Sequence, residues 1–174
     1  MRSIVTGEWT SNSLLRLIVC FFLFYILLFW GTNWLLFFQK MGLSYTSVVG
    51  YYLGSEERFL QPRTYHGLLE MAHIHLFAMG VLMLTLTHLL LFVPFSGRVK
   101  ALLITVSFSS ALSNEASGWL IRFIHPCFAY LKIISFLCLQ FSLALMIGLA
   151  FYALVSRSPS DYLSNGSPKR KANA

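Results

Sequence analysis

The chain has 174 residues, of which 57% are apolar and only 11% charged, with a formal net charge of +7; its mean hydropathy is +0.69. Soluble domains carry about 25% charged residues, so this composition excludes an ordinary water-soluble monomer, and it is too apolar and aromatic for a disordered chain. In such a sequence the basic excess points to membrane topology, and no nucleic-acid partner is expected.

Four apolar stretches follow one another, at about 14–38, 67–93, 99–123 and 128–155. Each exceeds the ~20 residues that cross ~30 Å of hydrocarbon as a helix. Lipid forces backbone hydrogen bonds to close internally, so helices are expected rather than open strands. The first stretch is too long for a signal-peptide core, and no small-residue cleavage pattern follows Phe38, so it reads as a retained span.

The connections differ in kind. Gln39 to His66 is long, with Gly42, Gly50, Gly54, Pro62 and the acidic pair Glu56-Glu57; Tyr45 to Leu53 lacks a strong period and is expected to lie along the membrane interface. Pro94 to Arg98 and Ile124 to Cys127 are tight turns, which make the second, third and fourth stretches sequential antiparallel neighbours. The expected fold is therefore all-α: an antiparallel four-helix integral membrane bundle over residues 1–156, both termini on one side. The polar, basic tail 157–174 is expected to be disordered.

Lys and Arg set the orientation. Arg2, Arg16, Arg98, Lys100, Arg157, Lys169, Arg170 and Lys171 fall on the side of the termini, and Lys40, Arg58, Arg63, Arg122 and Lys132 on the other, eight against five. This excess predicts cytoplasmic termini.

Ionisable residues inside spans are costly and point to function. The second stretch holds Glu70, His73, His75 and His88, with His66 at its entrance. His66, Glu70, His73 and His88 fall on one helical stripe, expected to face into the bundle, while His75 lies about 200° from His73. The third stretch contributes Glu115 and many serines, the serines being expected to serve close packing. Because the two helices run antiparallel, His73, His75 and Glu115 should lie roughly 9 to 12 Å below the same rim, with His66, Arg122 and His125 in a layer at the rim itself. His88 falls about 20 Å deeper than His73.

Several chemistries fit this arrangement. Glu70, His73, His75 and Glu115 together would be a metal site for Fe, Zn or Cu. His66, His75, His88 and His125 are the candidate ligands of a b-type haem, which would serve electron transfer. Coupled Glu and His groups are also suited to a proton-handling or quinone site. A non-catalytic assembly subunit of a larger membrane complex is a further possibility. Cys20, Cys127 and Cys138 form no C-x-x-C pair. No G-x-S-x-G, P-loop, G-x-G-x-x-G or H-E-x-x-H motif is present, so no catalytic residue is assigned and a non-enzyme is expected. The expected partners are the lipid bilayer and either further copies of the chain or other membrane subunits.

The thirteen-residue spacing of His75 and His88 resembles that of stacked haems on one helix of four-helix membrane b-type cytochromes. Gly54-Ser55-Glu56-Glu57 ahead of Glu70-x-x-His73-x-His75 resembles a family of uncharacterised small bacterial four-span membrane proteins, over most of the chain to about Phe151. That second resemblance implies a four-span membrane fold and no particular activity.

Overall fold

The computed structural model describes residues 13–156, which form five helices: α1 Ser13–Lys40, α2 Tyr45–Leu53, α3 Tyr65–Leu91, α4 Gly97–Phe123 and α5 Phe128–Ser156. The tail at 157–174, together with Arg2, Arg157 and Lys169 to Lys171 of the orientation count, lies outside the described residues.

The long helices start and stop for local reasons. Thr64 and Ser96 cap α3 and α4, each hydroxyl accepting from an N–H three residues on, that of Gly67 and Val99 respectively. Lys100 Nζ donates to Leu91 O at 2.6 Å, placing a cation on the carbonyl end of α3. At the end of α4, Pro126 interrupts the chain, and the Ile124 and His125 amides both donate to Leu120 O.

α1, α3 and α5 are long and apolar enough to cross a membrane. α4 is as long as α3 at 27 residues, but Ser107, Ser109, Ser110, Ser113, Asn114 and Glu115 lower its hydropathy. The helices pair antiparallel. Tyr65 stacks edge-on to Trp119 at 5.3 Å between α3 and α4. Ser107 meets Met146 between α4 and α5, and Phe37 stacks on Phe136 at 3.7 Å between α1 and α5.

Two apolar clusters hold these helices together. One joins α1, α3 and α5 through residues such as Leu23, Met83, Leu86, Leu143 and Met146. The other lies towards the α1–α2 end and gathers Phe37, Met41, Val48, Tyr52, Leu68, Ile121 and Phe136. The α4 serines act as small packing residues. Ser107 and Ser117 are fully buried and return their hydroxyls to backbone oxygens of their own helix, those of Leu103 and Asn114.

Tyr45 to Leu53 forms a helix that docks on α4 and α5. Its buried residues are Val48 and Tyr52, one turn apart, so a nine-residue helix needs only this pair to define its inner face. The Tyr52 ring sits over Gly118, where a Cβ would fall 2.9 Å from Cε1. Beyond α2, Gly54 takes φ 91°, and the chain turns through a Ser55–Leu60 bridge that presents Phe59 to the outside.

The buried side of α3 is made by Leu68, Ala72, Leu82, Met83, Leu86, Thr87 and Leu90. This corrects the expectation of an inward His66/Glu70/His73/His88 seam. At 100° per residue these four residues fall opposite that apolar stripe, and all four are exposed. His75, half a turn from the seam, shares the side that meets α4.

Candidate functional site

α1 and α3 flank a cleft floored by α4 and α5. It contains two contiguous cavities, of about 330 Å³ and about 310 Å³. Asn33, Leu36, His75, Asn114 and Glu115 line both, and so mark the junction between them.

The cavity nearer α2 is the more polar of the two. Lys40 enters it from the end of α1, Tyr51 and Tyr52 from α2, Arg63 from the loop before α3, and Lys132 from the first turns of α5. Arg122 Nε donates to Arg63 O at 2.8 Å, and the Arg63 guanidinium lies 4.1 Å over the Tyr51 ring. Burial raises the Tyr51 phenol above its usual range against the opposing charge of Arg63. Tyr52 is raised further, first by burial and then by the neighbouring Tyr51 and the charge of Glu115. The second cavity is apolar, lined by Phe29, Leu76, Met79, Met83, Phe108 and Leu139 among others.

At the junction His75 Nδ1 lies 3.1 Å from Glu115 Oε2. Which atom carries the proton depends on the tautomer, so the pair has the geometry to hold one proton in either place. Beside it, Asn114 Oδ1 is buried without a hydrogen-bond partner, while the Asn114 backbone oxygen accepts from Lys132 Nζ at 2.8 Å. A buried acceptor left unfilled is costly, so Oδ1 has a use for a donor from water or a ligand. Trp34 Nε1 and both amide atoms of Gln140 are in the same condition.

The four proposed metal ligands do not converge. Among the described residues, no group of three His, Cys, Asp or Glu side chains is placed to hold a metal ion. His75 meets Glu115, whereas Glu70 pairs along α3 with His66 at 3.2 Å on an exposed face, and His73 is exposed. His75 and Glu115 are level enough to touch, while Glu70 and His73 point to the opposite side of α3.

The candidate haem ligands are also in separate settings. His66 is held by Glu70, and His75 by Glu115. His88 packs edge-on to Phe92. His125 Nδ1 accepts from the Cys127 amide at 3.1 Å. The expected His66/Arg122/His125 layer is likewise divided, since Arg122 turns to Arg63.

Sequence reading missed the contributions of Asn33, Asn114 and Lys132. Lys132 enters the orientation count as a flanking charge, yet it is 8% exposed. The available signal was a lysine one turn inside an otherwise apolar helix, where a simple flanking cation would stand at the end.

Neither the curated proteins nor the solved structures give a match to the chain. Residues 42–161, a span that takes in the α2 dock, α3, α4, α5 and most of the cleft, match the family described as a transmembrane helical domain, and the chain belongs to that family as a helical membrane protein.

Proposed function

We propose that α1, α3, α4 and α5 all cross the membrane, with cytoplasmic termini, and that the cleft binds a lipid-soluble ligand whose polar head meets a proton-handling His75–Glu115 pair. The hydrogen bond between these two side chains, at the meeting point of a polar and an apolar cavity, carries this reading. An amphiphile suits the two compartments: a head among hydrogen-bonding groups and a tail against Met79, Met83 and Leu139. The cavities are at the lower end of the ~300–1,000 Å³ usual for small-molecule sites. Asn114 Oδ1 would accept from a hydroxyl or protonated head, and imidazole and carboxylate would exchange its proton. A quinone is the neutral member of this ligand class.

Two features favour the ligand site over a resident metal. Glu115 and His75 supply only two ligands at one place, and the apolar cavity beside them provides space for a chain. The α4 surface supports a fourth crossing, because its exposed large side chains that line neither cavity are the apolar Val99, Leu102, Val106 and Phe123.

Protein purified in mild detergent from its own membrane should release a stoichiometric amphiphile on organic extraction. Met79→Trp, which fills the apolar cavity, should abolish this while the helical circular dichroism is kept. An empty extract from the unmodified protein, or undiminished ligand in the folded variant, would sink the reading.

A further inference from the structure

The polar cavity holds more positive charge than the His75–Glu115 pair accounts for. Lys40, Arg63 and Lys132 line it against a single carboxylate, Glu115, which is already hydrogen-bonded to His75. Lys132 is 8% exposed. It donates to Asn114 O at 2.8 Å, and an ammonium has two further N–H donors after one such bond. Taking an ammonium out of water is costly unless a counter-charge or several acceptors meet it. A neutral carbonyl is a weak partner for such a group, whereas an anionic oxygen forms a charge-assisted bond.

Arg63 is braced to serve the same end. Its guanidinium lies 4.1 Å over the Tyr51 ring, and its backbone oxygen is held by Arg122 at 2.8 Å. A guanidinium held over an aromatic face keeps its N–H edge available to meet a carboxylate or phosphate. Lys40 closes α1 at the same end of the cleft. Past the His75–Glu115 junction the lining turns apolar, with Met79, Met83 and Leu139. The charges thus lie towards the helix ends and the apolar space towards the membrane interior, the polarity of a lipid in its leaflet.

We propose that the cleft takes an amphiphile with an anionic head, carboxylate or phosphate, seated by Lys132, Arg63 and Lys40, with its chain in the apolar cavity. This rests on the cleft being a ligand site and specifies the charge of its ligand. Such a head comes from a free fatty acid or from an anionic phospholipid of the bilayer.

The test uses the full-length protein in nanodiscs of zwitterionic lipid. It is titrated with fluorescent cis-parinaric acid and, separately, with its neutral methyl ester. The acid should bind about tenfold or more tightly than the ester, because only the acid forms charge-assisted bonds to the cations. Lys132→Met and Arg63→Gln should each weaken the acid and leave the ester unchanged. Should Lys132→Met fail to fold, Arg63→Gln and Lys40→Gln decide the matter. Equal affinity for acid and ester, or folded variants that bind the acid undiminished, overturns the anionic head while leaving the cleft as a ligand site. No binding of either probe overturns both. Displacement of the bound acid by hexadecanoate, or instead by phosphatidylglycerol added to the nanodisc, supports the proposal and identifies the free acid or the phospholipid as the source.

Discussion

A single hydrogen atom at Gly118 decides how closely α2 can approach α4. A Cβ there would lie 2.9 Å from Tyr52 Cε1 and 3.1 Å from its hydroxyl oxygen, and Tyr52 is buried. Alanine is favoured over glycine in a helix by about 1 kcal/mol, but overpacking a well-filled site costs about 1–3 kcal/mol. Gly118→Ala should therefore lower the thermal stability of the detergent-solubilised protein, and should cost less when introduced into a Tyr52→Ala background, where the ring it meets is gone. A stability gain from Gly118→Ala alone would contradict the close packing. The same residue scale shows what the sequence could reveal of the site. Glu115 and His75 were legible as members of a four-residue cluster, because a carboxylate inside an apolar stretch wants a partner, but antiparallel depth offered His73 as readily as His75. Lys132 and Asn114 were not, since their importance comes from facing the cleft, and a helix that is apolar nearly all round gives no periodic signal of which side faces inward.

At the scale of elements, α2 is the piece least explained by its own sequence. It is nine residues long, and isolated helices that short are marginal in water. Its stability comes from the cap, where Ser44 Oγ accepts from Ser47 N at 3.3 Å, and from burial of Val48 and Tyr52. Ser44→Ala should cost about 1 kcal/mol, seen as faster amide exchange confined to α2. The buried phenols add a pH dependence. Both Tyr51 and Tyr52 are raised above the ordinary 10.0, so folding favours their neutral forms. Their contribution is complete below pH 10.0, the ordinary tyrosine value, and is lost as pH rises above it towards the folded-state values. Tyrosinate absorbance should show a late-titrating fraction that Tyr52→Phe diminishes, with α2 exchange quickening as that fraction ionises. For α3, the polar stripe was legible and its direction was not: four polar residues sharing one side look like an inward seam, yet the Leu68-to-Leu90 stripe opposite them packs more tightly and takes the interior.

For the whole molecule the open question of physics is how a helix as polar as α4 sits among three apolar ones. Average hydropathy counts every side chain equally, but a bilayer meets only the outward ones. In α4 Ser107, Ser110, Ser117 and Gly118 are buried, and Asn114 and Glu115 line the cleft. Phe108 and Leu112 line the apolar cavity, and the other large exposed apolar side chains are Val99, Leu102, Val106 and Phe123. A crossing α4 therefore shows lipid an apolar surface despite its composition. This predicts the placement of three loop positions after replacement of Cys20, Cys127 and Cys138 by serine. Phe59→Cys and Ile124→Cys should react with a membrane-impermeant maleimide added to intact spheroplasts, and Phe95→Cys only in inverted vesicles. Phe59 on the side opposite Phe95 tests the α3 crossing, and Ile124 opposite Phe95 tests α4 independently. If Ile124→Cys and Phe95→Cys are labelled from the same side, α4 does not cross, and the His75–Glu115 pair lies at the membrane surface. Labelling of Phe95→Cys in spheroplasts, with the other two protected, would keep the four crossings and reverse their orientation.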